Sequence, residues 1–442
     1  MTFVNLPAFV SRAGRGDPDP YPNFDWMRST MPVGPVIGPE GHGRAWFVSS
    51  YEHGRACLTD PRLSHDRRHA ATATPDEAVD EGDLLGKDPP HHTRLRRLVN
   101  PVLSRGAVER LRPRIVEVCS SLVDAFAGRG NADLVAEYAW PIPWAVVHDF
   151  LGIPDAVRMD ASHCIDRFLV AGYQEQQRRG GPTPATDELM DYVRHLIAYK
   201  RGNPGDDLIT SLTAGLQRGL LRSEAELEGM LYVLLGAGQV STGPMIAAAL
   251  LRLLENPDQL ARARAGQVNW RLVVEEALRY DSPVQTSVTR YALTDLEIAG
   301  VRVAKGDMVI VSLAAANRDP STFTDAARFD VRRRRRTHLA FGHGIHLCVG
   351  APLARLEGEV CLRLLFDRLP TLRLATSPTD TAWVLGPKLR SPRQVPVVFD
   401  PPGPHHDPRT SPVAGTPPAT HHDGTVDSVG GCPVDHAERP AP

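Results

Sequence analysis

Cys348 is the residue whose setting most strongly suggests chemistry. It lies in His338-Leu-Ala-Phe-Gly-His-Gly-Ile-His-Leu-Cys-Val-Gly350, and Ala351-Pro-Leu-Ala-Arg-Leu-Glu357 follows directly. Glycines at 342, 344 and 350 allow backbone turns that other residues resist, so the loop can wrap a sulfur and aim N–H groups at it. The helix expected after it adds its positive N-terminal end. Both effects favour thiolate over thiol. A lone thiolate suits an axial haem ligand better than a zinc site. The plain alternative, an inert buried cysteine, is common for this residue type but leaves the glycine frame without a purpose.

Two further groupings carry charge at helical spacing. His92 and Arg96 stand four apart in Asp88-Pro-Pro-His-His-Thr-Arg-Leu-Arg-Arg97. A cation pair on one helix face suits a dianionic ligand, although a solvated basic face has the same pattern. Glu276 and Arg279, three apart, can form a salt bridge on one face.

The elements that must position these groups are mostly helical. Ile115, Val118, Leu122, Val123 and Phe126 fall at helical spacing, with Pro113 near the start and Gly128 past the end. Ser223-Glu-Ala-Glu226 is a capping box that opens an apolar helix running to about Glu255, on the order of 45 Å long. Pro244 removes the partner of the Val240 carbonyl, which predicts a kink there. Strand-like runs occur at Ala45–Ser49, Glu297–Val303, Met308–Leu313 and Val395–Phe399.

Phe341-Gly-x-Gly-x-His-x-Cys348-x-Gly350 resembles the haem-binding motif of the cytochrome P-450 family, and the resemblance spans roughly residues 18 to 400. It implies a mainly α fold with small β-sheets, a single domain with α-rich and β-rich lobes, and haem b with Cys348 as the axial iron ligand. By the same resemblance Phe341 packs beside the sulfur, Gly350 completes the loop, and His346, His92, Arg96 and Arg290 contact the haem propionates. Glu276-Ala-Leu-Arg279 matches the family's ExxR, and Arg328 resembles the third member of that structural network. Ala316-Asn-Arg-Asp-Pro320 is a further structural match. Electrons are expected from a ferredoxin and its reductase, and the five arginines Arg332–Arg336 read either as a solvated stretch or as a docking patch for the ferredoxin.

One segment departs from the family. The oxygen-site motif [Ala/Gly]-Gly-x-[Asp/Glu]-Thr is replaced by Ala237-Gly238-Gln239-Val240-Ser241. Ala237 and Gly238 are expected to leave room beside the iron, and protons to arrive through water held by Ser241 and the freed Val240 carbonyl or through a polar group on the substrate. Gly236-Ala-Gly-Gln-Val-Ser-Thr-Gly243 resembles the corresponding segment of mycocyclosin synthases and other cyclodipeptide-tailoring members. That implies oxidative C–C or C–N coupling of a Trp- or Tyr-containing diketopiperazine. The alternative is a hydroxylase or epoxidase of a polyketide, terpene or other natural product. A peroxide-driven variant and a haem sensor without turnover are more distant options. The substrate is expected against Gln239, Val240, Phe168, Val284, Gln285, Ser287 and Leu389.

Composition fits this reading. The 442 residues carry 50 Lys plus Arg against 52 Asp plus Glu. That balance lacks the basic excess of a nucleic-acid binder. No basic, cleavable leader is apparent at the start. The cysteines at 57, 119, 164, 348, 361 and 432 form no CxxC pair, which points to a reduced cytoplasmic compartment rather than a disulfide framework. The apolar stretch Met230–Leu254 is broken by glycines and Pro244, so a buried helix is expected rather than a membrane span. Residues 1–17 read as an arm, 18–400 as the haem domain, and 401–442, with ten prolines and no Leu, Ile, Phe, Tyr or Trp, as a disordered tail.

Overall fold

The computed structural model describes residues 4–5, 19–37, 44–73, 84–158, 184–334, 337–377, 381–385 and 388–401. Phe168, Arg335, Arg336 and the 402–442 tail lie outside the described residues. Helices dominate and the strands form small sheets, as expected. The helices that build the site are α1 (Tyr21–Thr30), α2 (His91–Val99), α3 (Arg112–Ala127), α4 (Pro141–Leu151), α5 (Glu224–Val240), α6 (Thr242–Glu255), α7 (Trp270–Tyr280) and α8 (Ala351–Arg368).

The α3 helix follows its sequence pattern. Pro113 sits in its first turn and Gly128 caps its end, while Ile115, Cys119, Val123 and Phe126 are buried against the body. It packs on α8, whose Cys361, Leu362, Leu365 and Phe366 share the same core. This stack gives the helix that begins directly after Cys348 a rigid support.

The expected continuous apolar helix is interrupted. It starts as predicted, with Ser223 Oγ accepting from Glu226 N–H at 3.2 Å. The Glu226 carboxylate caps the neighbouring Arg222 N–H at 2.7 Å instead and pairs with Arg94. The break falls at Ser241, between α5 and α6. Pro244 cannot donate to the Val240 carbonyl, and two hydroxyls bond back to the preceding turn. Ser241 Oγ donates to the Ala237 carbonyl and Thr242 Oγ1 to the Gly238 carbonyl, both at 3.2 Å. Such back-bonding bends helices. The run Glu224–Glu255 is long and apolar enough to cross a membrane, yet 67% of its most apolar window is buried inside the body.

The largest sheet contains β1 (Val4–Asn5), β2 (Val33–Ile37), β3 (Arg44–Val48), β4 (Leu63–Ser64), β5 (Arg290–Ala292) and β6 (Met308–Val311). Their spatial order is β1-β2-β3-β6-β5-β4. β4 and β5 pair antiparallel with Ser64 opposite Tyr291, which brings His65 to the strand that carries Arg290. The run Glu297–Val303 is a tight hairpin rather than one strand, turning at Ala299 (φ 51°) and Gly300 (φ 77°). Positive φ at both central residues is what a two-residue hairpin turn requires.

Candidate active site

The cysteine loop has the geometry its glycines predict. Gly342 and Gly344 have φ of 72° and 80°, and a Cβ at Gly344 would lie 2.8 Å from the Leu58 carbonyl oxygen. Cys348 N–H donates to the Phe341 carbonyl at 2.9 Å, closing the loop. Cys348 is exposed, whereas Cys57, Cys119 and Cys361 are buried. Although solvent reaches the residue, protein atoms crowd its sulfur, and burial raises the thiol pKa. The Gly350 N–H, the Arg96 guanidinium, the Ala351 N–H and the Arg355 guanidinium all pull the other way. The loop thus supplies the donors that its glycines predict, and these favour the thiolate while burial opposes it.

Above this loop lies a cluster of nitrogen bases. The ring of His346 stacks on His65 at 3.7 Å and on His92 at 4.0 Å between centroids. Arg290 is buried, and its Nη1 donates to Ser287 Oγ at 3.1 Å and the Val288 carbonyl at 3.2 Å. Burial lowers the pKa of His65 to about 3, of His92 to about 4, of His346 to about 2 and of Arg290 to about 10. Arg96 is lowered too, by burial, while Cys348 acts on it in the opposite sense. The carboxylate in this neighbourhood, Asp88, is already engaged by Ser64 Oγ and by His65 N–H at 3.1 Å. His346 Nε2 and His65 Nδ1 are buried with no hydrogen-bond partner. The guanidiniums of Arg96 and buried Arg290, with the unpartnered ring nitrogens of His65 and His346, fit the propionates of a haem. His65 is a member that the sequence did not single out, because nothing in Leu63-Ser-His-Asp66 marks it before the β4–β5 pairing is known.

Ala237 of α5 and Ser241 at its end are one turn apart, and Ala237 is exposed. Gly238 does not leave room there, because a Cβ on it would lie 2.8 Å from Val147 of α4. Its bareness serves helix packing. Gln239 is likewise corrected. It sits two positions from Ala237, on the opposite side of the helix, buried with Nε2 unpartnered.

The extended stretch 284–288 alternates faces, which separates the expected substrate contacts. Val284 pairs in a bridge with Leu389, and Val288 is exposed. Gln285 and Ser287 point the other way. Gln285 is fully buried, with its Nε2 on the Ser282 carbonyl at 2.6 Å. Ser287 Oγ accepts from Arg290 and from Val311 N–H at 3.2 Å. Gln285 is thus a packing residue, and Ser287 orients Arg290 instead of meeting substrate.

Comparisons with known proteins decide the family. A model described as Cytochrome P450 matches residues 270–380. The chain is 41% identical over 384 residues to cytochrome P450 monooxygenase PikC of Streptomyces venezuelae, covering 86% of this chain and 91% of the relative. The chain belongs to the cytochrome P450 family. It is also 32% identical to the polyketide biosynthesis cytochrome P450 PksS of Bacillus subtilis, over 80% of this chain and 88% of that one. The solved structure of the P450 enzyme CxnD, for C–S bond formation in chuangxinmycin biosynthesis, superposes with a TM-score of 0.82 at 32% identity, covering 91% and 99% of the two chains. Membership makes this chain an oxidoreductase whose cofactor is a haem with thiolate-ligated iron.

The P450 scaffold behind the loop rests on Glu276. Its carboxylate accepts from Arg279 Nε and Nη2, both at 2.8 Å, and from Arg333 Nε at 3.1 and 3.2 Å. Arg328 is exposed, and only its carbonyl joins, accepting from Arg279 at 3.0 Å and Arg333 at 2.8 Å. Arg333 therefore replaces Arg328 as the third charged member. It also breaks the reading of Arg332–Arg336 as one solvated run, since Arg333 is buried between exposed Arg332 and Arg334.

Glu357 of α8 is a further buried acid, and neither of its carboxyl oxygens has a partner. Burial raises its pKa from 4.5 to about 8. Between these values the folded chain holds a proton that the unfolded chain releases, so this group makes stability fall as pH rises, by at most about 1.4 kcal/mol per pH unit. Urea unfolding at several pH values across this window is expected to show a shallower fall for Glu357→Gln than for the wild type. Parallel slopes for the two proteins would contradict the assignment.

Proposed function

We propose that this P450 is a monooxygenase that inserts oxygen into a polyketide-type natural product. The carrying observation is the 41% identity to a named monooxygenase over nearly the whole chain, supported by a relative named for polyketide biosynthesis. Cys348 is assigned as the iron ligand, and His65, His92, Arg96, Arg290 and His346 as the residues that hold the propionates. When bound, the haem supplies oxygen activation. The substrate lies against Ala237, Val240, Val284, Val288 and Leu389, on the open side of α5 and the facing strand segment. This lining is mainly apolar, which suits orientation by shape with few polar contacts. A ferredoxin with its reductase is the proposed electron source.

Val240 cannot relay a proton, so Ser241 is the hydroxyl left on the reacting face. Its own proton is directed to the Ala237 carbonyl, and its lone pairs remain able to hold a water. A positioned proton donor typically contributes 10²–10⁴-fold, so Ser241→Ala is expected to lower product per reductant consumed by about tenfold or more. Reductant consumption itself should continue. Unchanged coupling between the two would remove Ser241 from the route.

Oxidative coupling of an aromatic cyclodipeptide is the second reading. It is favoured by the Gly236–Gly243 segment and by a relative named for C–S bond formation. Titrating the ferric protein with polyketide lactones and with Trp- and Tyr-containing cyclodipeptides separates the two. The proposal expects saturable Soret shifts from the lactones alone. Shifts confined to the cyclodipeptides would favour coupling.

A further inference from the structure

A second polar network, distinct from the propionate cluster, touches the cysteine loop. Arg355, in the second turn of α8, stacks its guanidinium over the Phe341 ring at 4.5 Å from the centroid. It also donates to both oxygens of Glu275, Nε at 2.5 Å and Nη2 at 3.1 Å. His338 Nε2 reaches Glu275 Oε2 at 3.1 Å, while its Nδ1 accepts from Ala340 N–H at 3.2 Å. That second bond leaves Nε2 as the donor to Glu275. Phe341 in turn accepts from Cys348 N–H through its carbonyl at 2.9 Å.

These contacts join three elements around one carboxylate. Glu275 of α7 ties the segment entering the loop, through His338, to the helix leaving it, through Arg355. It is adjacent in sequence to Glu276 but serves a different purpose. The Glu276 bonds run to Arg279, Arg333 and Asp330 N–H, away from the loop, whereas the Glu275 bonds end on the residues that frame Cys348. The side chain of His338 is 2% exposed and that of Glu275 17%, so the interactions are only partly screened by solvent.

We propose that Arg355, clamped by Glu275 and His338, is a positioning residue that holds Phe341 against the cysteine loop and sets the reduction potential of the iron held by Cys348. This inference rests on the haem-thiolate reading above. A cation beside the ligand stabilises the reduced, more electron-rich state, and an anion opposes it. Arg355 therefore raises the potential and Glu275 lowers it. Arg355 reaches Phe341 through the flat face of its guanidinium, so lysine keeps the charge but loses the stack and the fork.

The test is a spectroelectrochemical titration of the haem-loaded wild type and of Arg355→Gln, Arg355→Lys and Glu275→Gln, each checked by its ferrous carbon monoxide spectrum. The expected result is a lower potential for Arg355→Gln, a higher one for Glu275→Gln, and a smaller shift for Arg355→Lys than for Arg355→Gln. A purely structural clamp would lower thermal stability in all three without opposite signs of potential. Equal potentials, or shifts of one sign, with thiolate spectra intact would overturn the inference and leave the haem-thiolate reading standing. A wild type without a thiolate spectrum would overturn that reading as well. If Arg355→Gln does not fold, the signs for Glu275→Gln and Arg355→Lys still decide.

Discussion

Glu276→Gln is expected to destabilise the chain by about 3–5 kcal/mol, the usual cost of removing one partner from a buried ion pair. Glu276 is 4% exposed, Arg279 1% and Arg333 8%. Two guanidiniums converge on the one carboxylate, and glutamine would leave both as buried cations without a counter-charge. Their remaining bonds, to the carbonyls of Asn317, Ala326, Arg328, Thr324 and Asp325, satisfy donors but not charge. Denaturant unfolding of the variant measures this directly. The same experiment separates Arg333 from Arg328. Arg333→Gln should approach the loss seen for Glu276→Gln, while Arg328→Gln should stay within about 0.5 kcal/mol, as exposed substitutions do. A larger loss at Arg328 than at Arg333 would reverse the assignment of the third member.

Cys348→Ser is expected to abolish the thiolate form of the ferrous carbon monoxide spectrum and, with it, turnover. A serine oxygen lacks the electron-rich sulfur that gives the thiolate spectrum its form. The chain should still fold, because Cys348 is exposed and its loop is closed by backbone bonds that serine keeps. Substituting buried Cys57, Cys119 or Cys361 instead should leave the thiolate spectrum in place. Persistence of that spectrum in Cys348→Ser would mean that another cysteine binds the iron.

Much of this site was legible in the sequence because its parts are local. The glycines of 342–350 encode the loop, and the His92–Arg96 and Glu276–Arg279 spacings encode shared helix faces. What escaped depends on contacts made across the fold. His65 joins His346 only because β4 pairs with β5, and Arg333 turns inward only because the chain after Asp330 doubles back onto Glu276. Gly238 looked like space beside the iron until Val147 was found against it. Gln285 and Ser287 looked like substrate contacts because they are polar, but the alternation of an extended strand turns them into the body and leaves Val288 exposed. The donors around the Cys348 thiol are local and visible in the sequence, whereas its desolvation is a property of the assembled surroundings.

Oxygen insertion, the reaction proposed for this P450, leaves its mark in the product. Turnover in isotopically labelled dioxygen, using the polyketide lactone that gives the strongest Soret shift, tests it most directly. The expected product is heavier by one oxygen atom and carries the label. A product that has lost hydrogens, gained a new ring or inter-ring bond, and carries no label would contradict it and establish oxidative coupling instead.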